Sequence, residues 1–536
     1  MKKYLYILSL FLACFTMGWA QKKLIYLDHS DKLEFDNEKW PDCQILIGNV
    51  QLRHENMIMH CDSAYFFDKN NQVIASGNIK MNQKDSLFIY GDKLFYDGDT
   101  RLARLRHNVR MINQQATLYT DSLNYDRRQN IGYYFTSGRI VDGNNVLVSV
   151  KGKFYPDIDL AVFQNDVVLT NPDFILTSDT LHYNTQTDIA NILGPSHIVH
   201  QDSTFIYAER GWYDTQKDLS ELTQNPHLHD LEGHYIAADT LFHDHKKHHS
   251  EAFSNVSLQD STNNIIISGN YGWYNDSTLN ALITKTPTLY HFEADKQDTL
   301  YLTADTLQYS DQGQRLKLNA YHHVQSWHID FQSLCDSAFY SDLDSTLRLY
   351  GTPVMWNDSN QHTGNEIHIF LANNVVKTVT LENNAFVFSR TDTIVYNQMS
   401  GKKIIAHFAD NRMYKTEVMG NARSIYFVED TDEANPSQTS EEKNYTGINQ
   451  AESSNLTMYM NDRNAIKKIV MSPASNGTLY TPDKITQKKV TQLEGLHDYN
   501  NIRPKDKNDI YIPKNKETLK AAEATNKVRK RRRNLQ

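Results

Sequence analysis

Cysteine is almost missing from this chain: four occur in 536 residues, and one of them, Cys14, lies in the leading apolar stretch. The others, Cys43, Cys61 and Cys335, are an odd, scattered set. A disulfide framework is thereby excluded as the main source of stability, leaving at most a single Cys43–Cys61 bridge. Proline and glycine are also sparse, at 12 and 22 residues, which excludes collagen-like chains and the Gly-rich repeats of calcium-binding β-rolls. After the first 20 residues no apolar run approaches the roughly 20 residues of a membrane-spanning helix. Long runs of 3.6-residue periodicity are lacking until the extreme C-terminus. The formal net charge of −9 excludes a strongly basic nucleic-acid surface over the body of the chain. No Walker loop, nucleophile elbow, HExxH, CxxC pair or dinucleotide turn is present, so no catalytic residue, cofactor or metal ion is expected. The cluster "HDHKKHH", His243 to His249, reads as a polar turn.

What the chain does contain is a pattern that returns about every 30 residues, the signature of a repeat architecture. One half is Asp, Ser or Thr, a small or aliphatic residue and an aromatic: "CDSAYFFD" at Cys61, "DSLNYD" at Asp121, "DTLHYN" at Asp179, "DTLQYSD" at Asp305 and "CDSAFYSD" at Cys335. The other half follows a short polar turn and is Gly or Asn, then a β-branched residue, any residue, and Leu or Met. Copies are "GNVQL" at Gly48, "GNIKM" at Gly77, "HNVRM" at His107, "NDVVL" at Asn165 and "SNVSL" at Ser254. An aromatic slot runs through Phe35, Phe66, Tyr96, Tyr125, Tyr155, Tyr183, Tyr213, His243, Tyr274, Tyr309, Tyr340, Phe370 and Phe408. Apolar and polar residues alternate within each unit, as Val50 and Leu52 do around Gln51. That period of two predicts half-buried strands. Turn signals such as "DKNNQ" at Asp68 and "DGDT" at Asp97 separate them. The recurrence of Asp62, Asp121, Asp179, Asp239, Asp305 and Asp336 at one place in each repeat predicts a turn or ladder role, because catalysis needs carboxylates in unlike environments.

The first 20 residues have the form of a cleavable export signal: Lys2 and Lys3, an apolar run from Tyr4 to about Met17, then Gly18-Trp19-Ala20. The repeat is expected over 21–428, with a subdivision near 275–309 where its length grows. An acidic, Ser- and Asn-rich interval, 429–454, predicts a disordered insertion. A further strand pair is expected at 455–472. Residues 473–536 read as a tail with a short helix, Lys516 to Val528, and a basic end.

"GNVQLRHENMIMHCDSAYFFDKNNQVIASGNIKM", Gly48 to Met81, resembles the repeating unit of the OstA/LptA-like family of periplasmic lipopolysaccharide-transport proteins. The resemblance extends over about Leu24 to Val428. It implies an all-β fold: an elongated antiparallel jelly-roll or solenoid stack of two-strand repeats with an open apolar interior. It further implies a non-enzymatic carrier or bridge that binds lipopolysaccharide by its acyl chains on the way to the outer membrane. By alternation, the inner faces would carry Val50, Leu52, Ile79, Met81, Val109, Met111, Val167, Leu169, Val256, Leu258 and Val354, the expected lipid-binding residues. Expected partners are lipopolysaccharide and other transport proteins pairing at the strand edges of the stack, with end-to-end self-association and no nucleic acid. The expected location is the periplasm, in association with the outer membrane. The alternative is an exported structural or adhesive β-solenoid that binds protein or polysaccharide.

Overall fold

The computed structural model describes residues 23–514, apart from 37, 84–85, 115, 293–297, 314, 373–374, 392–394, 410–411, 430–444 and 462–465. The export signal and the expected helix at Lys516 to Val528 lie outside these residues. The chain forms two compact units, Met1–Pro226 and His227–Gln536. Both units are built almost wholly from antiparallel strands joined in sequence order.

In the first unit the typical strand has 11 or 12 residues and is bent in the middle. Gln44–His54, Met57–Phe67, Gln72–Gln83, Leu87–Asp97, Leu102–Asn113 and Ala116–Asp126 pair each with the next. Each of these pairings shifts register at its centre: between Ile47 and Val50, His60 and Ser63, Ser76 and Ile79, Tyr90 and Lys93, and Arg106 and Val109. The Gly-Asn half of the repeat sits on this bulge, in mid-strand. Gly48 and Gly77 have φ of 77° and 81°, and Asn49 and Asn78 follow at 44° and 45°. Such consecutive left-handed residues turn a strand sharply, and they recur in every second strand of this series, at Gly48-Asn49, Gly77-Asn78 and His107-Asn108.

The Asp half of the repeat faces that corner from the preceding strand. Asn78 Nδ2 donates to Asp62 Oδ2 at 2.8 Å, Asn49 to Asp31 at 2.9 Å, Asn108 to Asp92 at 2.6 Å and Asn255 to Asp239 at 2.9 Å. Where histidine replaces asparagine the pair persists, as in His323 Nδ1 and Asp305 at 2.8 Å. The two halves of the sequence motif are thus the two sides of one corner, on adjacent strands. This gives the recurring Asp its role and explains why its copies share one chemical setting.

The aromatic slot has an equally simple cause. In the first unit, cross-strand partners run Phe66, Val73, Tyr96, Ala103, Tyr125, Gly132, Phe154, Ala161, Tyr183, Ala190, Tyr213, Ser220. Large rings alternate with small residues, because rings on adjacent strands less than 5 Å apart cannot all fit in one row. The repeat therefore spans two strands. Phe154 occupies the row where the sequence pattern suggested Tyr155. In the second unit the row runs His243, Ser250, Tyr274, Ala281, Tyr309, Leu318, Tyr340, Leu347, Ile369. Here Ile369 takes the place assigned to Phe370, which is exposed, and His243 is buried in the row instead of lying in a solvated turn.

The C-terminal part departs further from the sequence reading. Tyr445–Met460 is one strand paired along Arg412–Glu429, so residues 445–454 belong to the sheet and not to a disordered insertion. Ile448 and Ala451 on this segment are buried, and a ladder of backbone hydrogen bonds tolerates the polar residues between them. The interval 430–444 lies outside the described residues. Cys43, Cys61 and Cys335 form no disulfide among the described residues.

A Cβ at position 77 would meet Asp62 Oδ2 at 2.3 Å, on a backbone with φ of 81°. Gly77→Ala should therefore lower stability by about 1–3 kcal/mol, and by less in an Asp62→Ala background, where only the backbone strain remains. Thermal melts of the two single variants and the double variant check this; equal losses in both backgrounds would mean that the corner contact does not select glycine.

Candidate functional site

Past the corner, the inward-facing residues of the first unit form a second cross-strand row. It runs Leu52, Met59, Met81, Ile89, Met111, Leu118, Ile140, Leu147, Leu169, Leu176, Ile198, Ile206. No polar residue interrupts it. At about 4.8 Å per strand the row is on the order of 50 Å long. Val50, Ile79, Val109 and Val167 form the neighbouring row beside the corner, and Val256 and Leu258 hold the same register in the second unit. These sequence-derived residues are 0–2% exposed. Their methyl and thioether groups pack on protein, as where a Cβ at Gly132 would meet Met111 Sδ at 2.9 Å. Burial pushes the Cys61 thiol in this layer up to about 12, with Asp62 adding to the effect, so it stays protonated and unreactive.

The open side of the first unit, opposite the corner, is closed by a polar seam. Burial and then the Arg127 charge hold the His54 imidazole below its usual range. The neutral ring lies with Nδ1 2.5 Å from the Tyr96 hydroxyl and Nε2 3.2 Å from the Lys23 carbonyl. Arg127 Nη1 donates to the same hydroxyl at 2.7 Å, and its Nη2 donates to Asn56 at 3.0 Å. Further along, the Tyr125 hydroxyl donates to Gln83 at 3.1 Å, and Asn145 Nδ2 donates to the Tyr183 hydroxyl at 3.0 Å. The bonds of Tyr96 to His54, Tyr125 to Gln83 and Tyr183 to Asn145 each join the aromatic row of one half to a strand end of the other. Anything entering between the halves from this side must break them, at about 1 kcal/mol net apiece.

In the second unit the apolar side of the sheet changes over. The inner row begins as Leu228, Ile236, Leu258, Ile267, Leu289, Leu302 and then becomes Ser326, Ser333, Met355, His362, Val387, Met399, Ser424. On the opposite face of the same strands lies Trp327, Gln332, Trp356, Gln361, Phe388, Gln398, Ile425. Val354 belongs to this opposite face: it pairs with Leu334 and Thr363 and joins the cluster of Leu334, Trp356 and Ile502. It is therefore not an inner-face residue. In "GTPVM" at Gly351, Pro353 takes the register position that valine holds in "GNVQL".

The outward face is covered by the segment that the sequence presented as a tail. Val490 and Leu493 pack on Phe386, Phe388, Val395, Ile425, Phe427 and Ile448. Ile502 joins the cluster of Trp356, and Ile510 is buried. Buried glutamines fix the strap by its backbone. Gln398 donates to the Thr491 carbonyl at 2.7 Å and accepts from Leu493 N–H at 2.9 Å; Gln361 donates to the His497 carbonyl and accepts from Tyr499 N–H, both at 2.8 Å. Gln332 accepts from Arg503 Nε at 2.7 Å, and Gln325 donates to the Ile512 carbonyl at 3.0 Å. A side-chain amide matches a peptide group, so the glutamines continue the pairing that a strand would have made. Sequence reasoning missed this face. The usable signal was there: "AFVF" at Ala385, "VMW" at Val354 and "IYFV" at Ile425 are apolar at both parities, which marks strands covered on two sides.

These features define a class: an antiparallel strand stack with an apolar inner row. Residues 22–179 match the family described as OstA-like protein. No curated protein matches it. A solved structure described as LptH, the LptA-homologous periplasmic component of the lipopolysaccharide transport device from Pseudomonas aeruginosa, matches at 13% identity. The match covers 25% of this chain and 80% of that one with a TM-score of 0.14, a likeness too slight to carry weight.

Two outcomes follow from this geometry. Val109→Asp places an uncompensated charge among buried side chains and should cost about 3 kcal/mol or more, whereas Arg110→Asp, exposed over the Tyr90 ring, should stay within about 1 kcal/mol. Equal shifts in thermal melts would mean that the strand register is wrong. Gln398→Ala should free the strap by about 1–3 kcal/mol, seen as faster proteolysis between residues 485 and 514. Truncation after residue 484 should bare Phe386, Phe388 and Ile425 and cause self-association in size-exclusion chromatography with light scattering.

Proposed function

We propose that the chain is a non-enzymatic periplasmic carrier or bridge for lipopolysaccharide, holding acyl chains along the inner row of its strand stack. The observation that carries this reading is the apolar row from Leu52 to Ile206, uninterrupted by any polar residue and beginning inside the OstA-like segment. Each methylene transferred to such a surface gains about 0.8 kcal/mol. Because the row is filled by its own side chains, entry requires the two halves to separate. The seam of His54, Tyr96, Arg127, Gln83 and Tyr125 is the natural gate, as it joins the halves by hydrogen bonds and not by apolar packing.

Docking to other transport proteins is proposed at the N-terminal edge. Tyr26–His29 and Lys32–Phe35 both pair with Gln44–His54, and Tyr26, Leu33 and Phe35 are exposed there. An edge with free backbone groups and bare apolar side chains suits the addition of a partner strand. The filled interior favours a second reading, an exported structural or adhesive solenoid.

Photo-crosslinkers placed at Met81 and Met111, and at the outward neighbours Lys80 and Arg110, separate the two in cells. A carrier gives lipopolysaccharide adducts from the methionine positions and not from the others. Adducts from outward positions alone, or none with outer-membrane lipid asymmetry intact after depletion, would favour the structural reading.

A further inference from the structure

The second unit contains a buried polar cluster that the lipid reading does not use. His234, Asp260 and Asp311 each present a ligand-capable atom within 4.8 Å of the others. They are 5%, 2% and 8% exposed. The geometry points to a divalent metal site, contrary to the sequence expectation of none.

The cluster is built as a metal site is built. His234 Nδ1 lies 2.9 Å from Asp230 Oδ2; with the proton on Nδ1, the Nε2 lone pair is left for a cation, the arrangement in which an outer carboxylate orients a metal-binding imidazole. Asp260 is rigid: its Oδ1 accepts from Thr262 N–H and Asn263 N–H, each at 3.0 Å. Its Oδ2 accepts from the Tyr309 hydroxyl at 2.7 Å and from Asn263 Nδ2 at 2.6 Å. Asp311 receives only Asn263 Nδ2, at 3.3 Å on Oδ2, while its Oδ1 is buried without a hydrogen-bond partner. The Tyr274 hydroxyl is likewise buried and unpartnered, and its ring centroid is 6.4 Å from that of His234. Two orphaned oxygens thus belong to a cluster of three carboxylates and one imidazole.

The seam of the first unit shows what such a place needs. There the Arg127 guanidinium supplies the positive charge and the donors. Among the described residues, the hydrogen bonds and ion pairs of Asp230, His234, Asp260 and Asp311 include no lysine or arginine side chain. Several buried carboxylates with at most one positive charge are costly, and a divalent ion would offset that charge while satisfying Asp311 Oδ1. One imidazole nitrogen and two carboxylate oxygens suit a borderline cation such as Zn²⁺, Mn²⁺ or Co²⁺ better than Ca²⁺, which takes six to eight oxygens. The ion would pin the strand ends carrying His234, Asp260 and Asp311 to one another.

The test uses the full exported chain without an affinity tag, stripped with EDTA and titrated with Zn²⁺ by calorimetry. One tightly bound ion and a raised thermal midpoint are expected, with a visible absorption band when Co²⁺ is substituted. The isosteric Asp311→Asn should weaken Zn²⁺ binding by more than tenfold and remove the thermal shift and the band. Asp230→Asn, which leaves the ligands in place, should weaken binding roughly 10- to 100-fold. Binding that survives both His234→Gln and Asp311→Asn would assign the ion to surface histidines and overturn the proposal. So would a wild-type chain indifferent to Zn²⁺ and Mn²⁺ in which Asp311→Asn only raises the melting point, the mark of a shared proton or a buried water alone.

Discussion

The corner formed by asparagine, or histidine in its place, on one strand and aspartate on its neighbour is the constraint on which the rest of this structure depends. A strand of 11 residues held straight would present its apolar side chains to a single sheet and leave half of them in water. Two consecutive residues in the left-handed region, held by a side-chain hydrogen bond such as Asn78 to Asp62 at 2.8 Å, bend alternate strands, and the strands that carry the aspartate pair with them on both sides of the corner. Glycine is needed at Gly77 because the aspartate that receives this bond also fills the space of a Cβ.

Once these strands are bent, the interior is a pair of long rows, and each row solves a different problem. Beyond the corner, Leu, Ile and Met follow one another without interruption, since side chains of similar size tile a flat strip. In the other half, rings such as Tyr96, Tyr125 and Tyr183 alternate with Ala103, Gly132 and Ala190. The tyrosine hydroxyls then reach the opposite strand ends, where apolar rings would have left the rim of the core to water. The aromatic row therefore fills the interior and supplies the polar closure of the first unit together.

The second unit keeps the corner and changes what is buried around it. From about Ser326 the inner row mixes serine and histidine with Met355, Val387 and Met399, while tryptophan, phenylalanine and glutamine alternate on the outer face. An apolar outer face must be covered, and residues 485–514 cover it, fixed by amides that imitate peptide groups. Covering the face in cis buries Phe388, Ile425 and Trp356, which the strands alone would leave exposed.

Much of this was legible in the sequence alone. Alternation in "GNVQL" and "GNIKM" determined strands, their inner residues and an all-β stack, because a period of two is a local property of the backbone. The recurring Asp and the aromatic slot were visible as repeats, although their partners were not, since hydrogen bonds such as Asn78 to Asp62 and the pairing of Tyr96 with Ala103 join separate strands. Register errors at Tyr155, Val354 and Phe370 arose because a displacement of one residue exchanges the two faces, which a pattern match cannot count. Tertiary structure alone decided that Gln332, Gln361 and Gln398 grip a segment more than 90 residues away, and that His234, Asp260 and Asp311 meet. These groups belong to different strands, and only the stacking order of the folded chain brings them together.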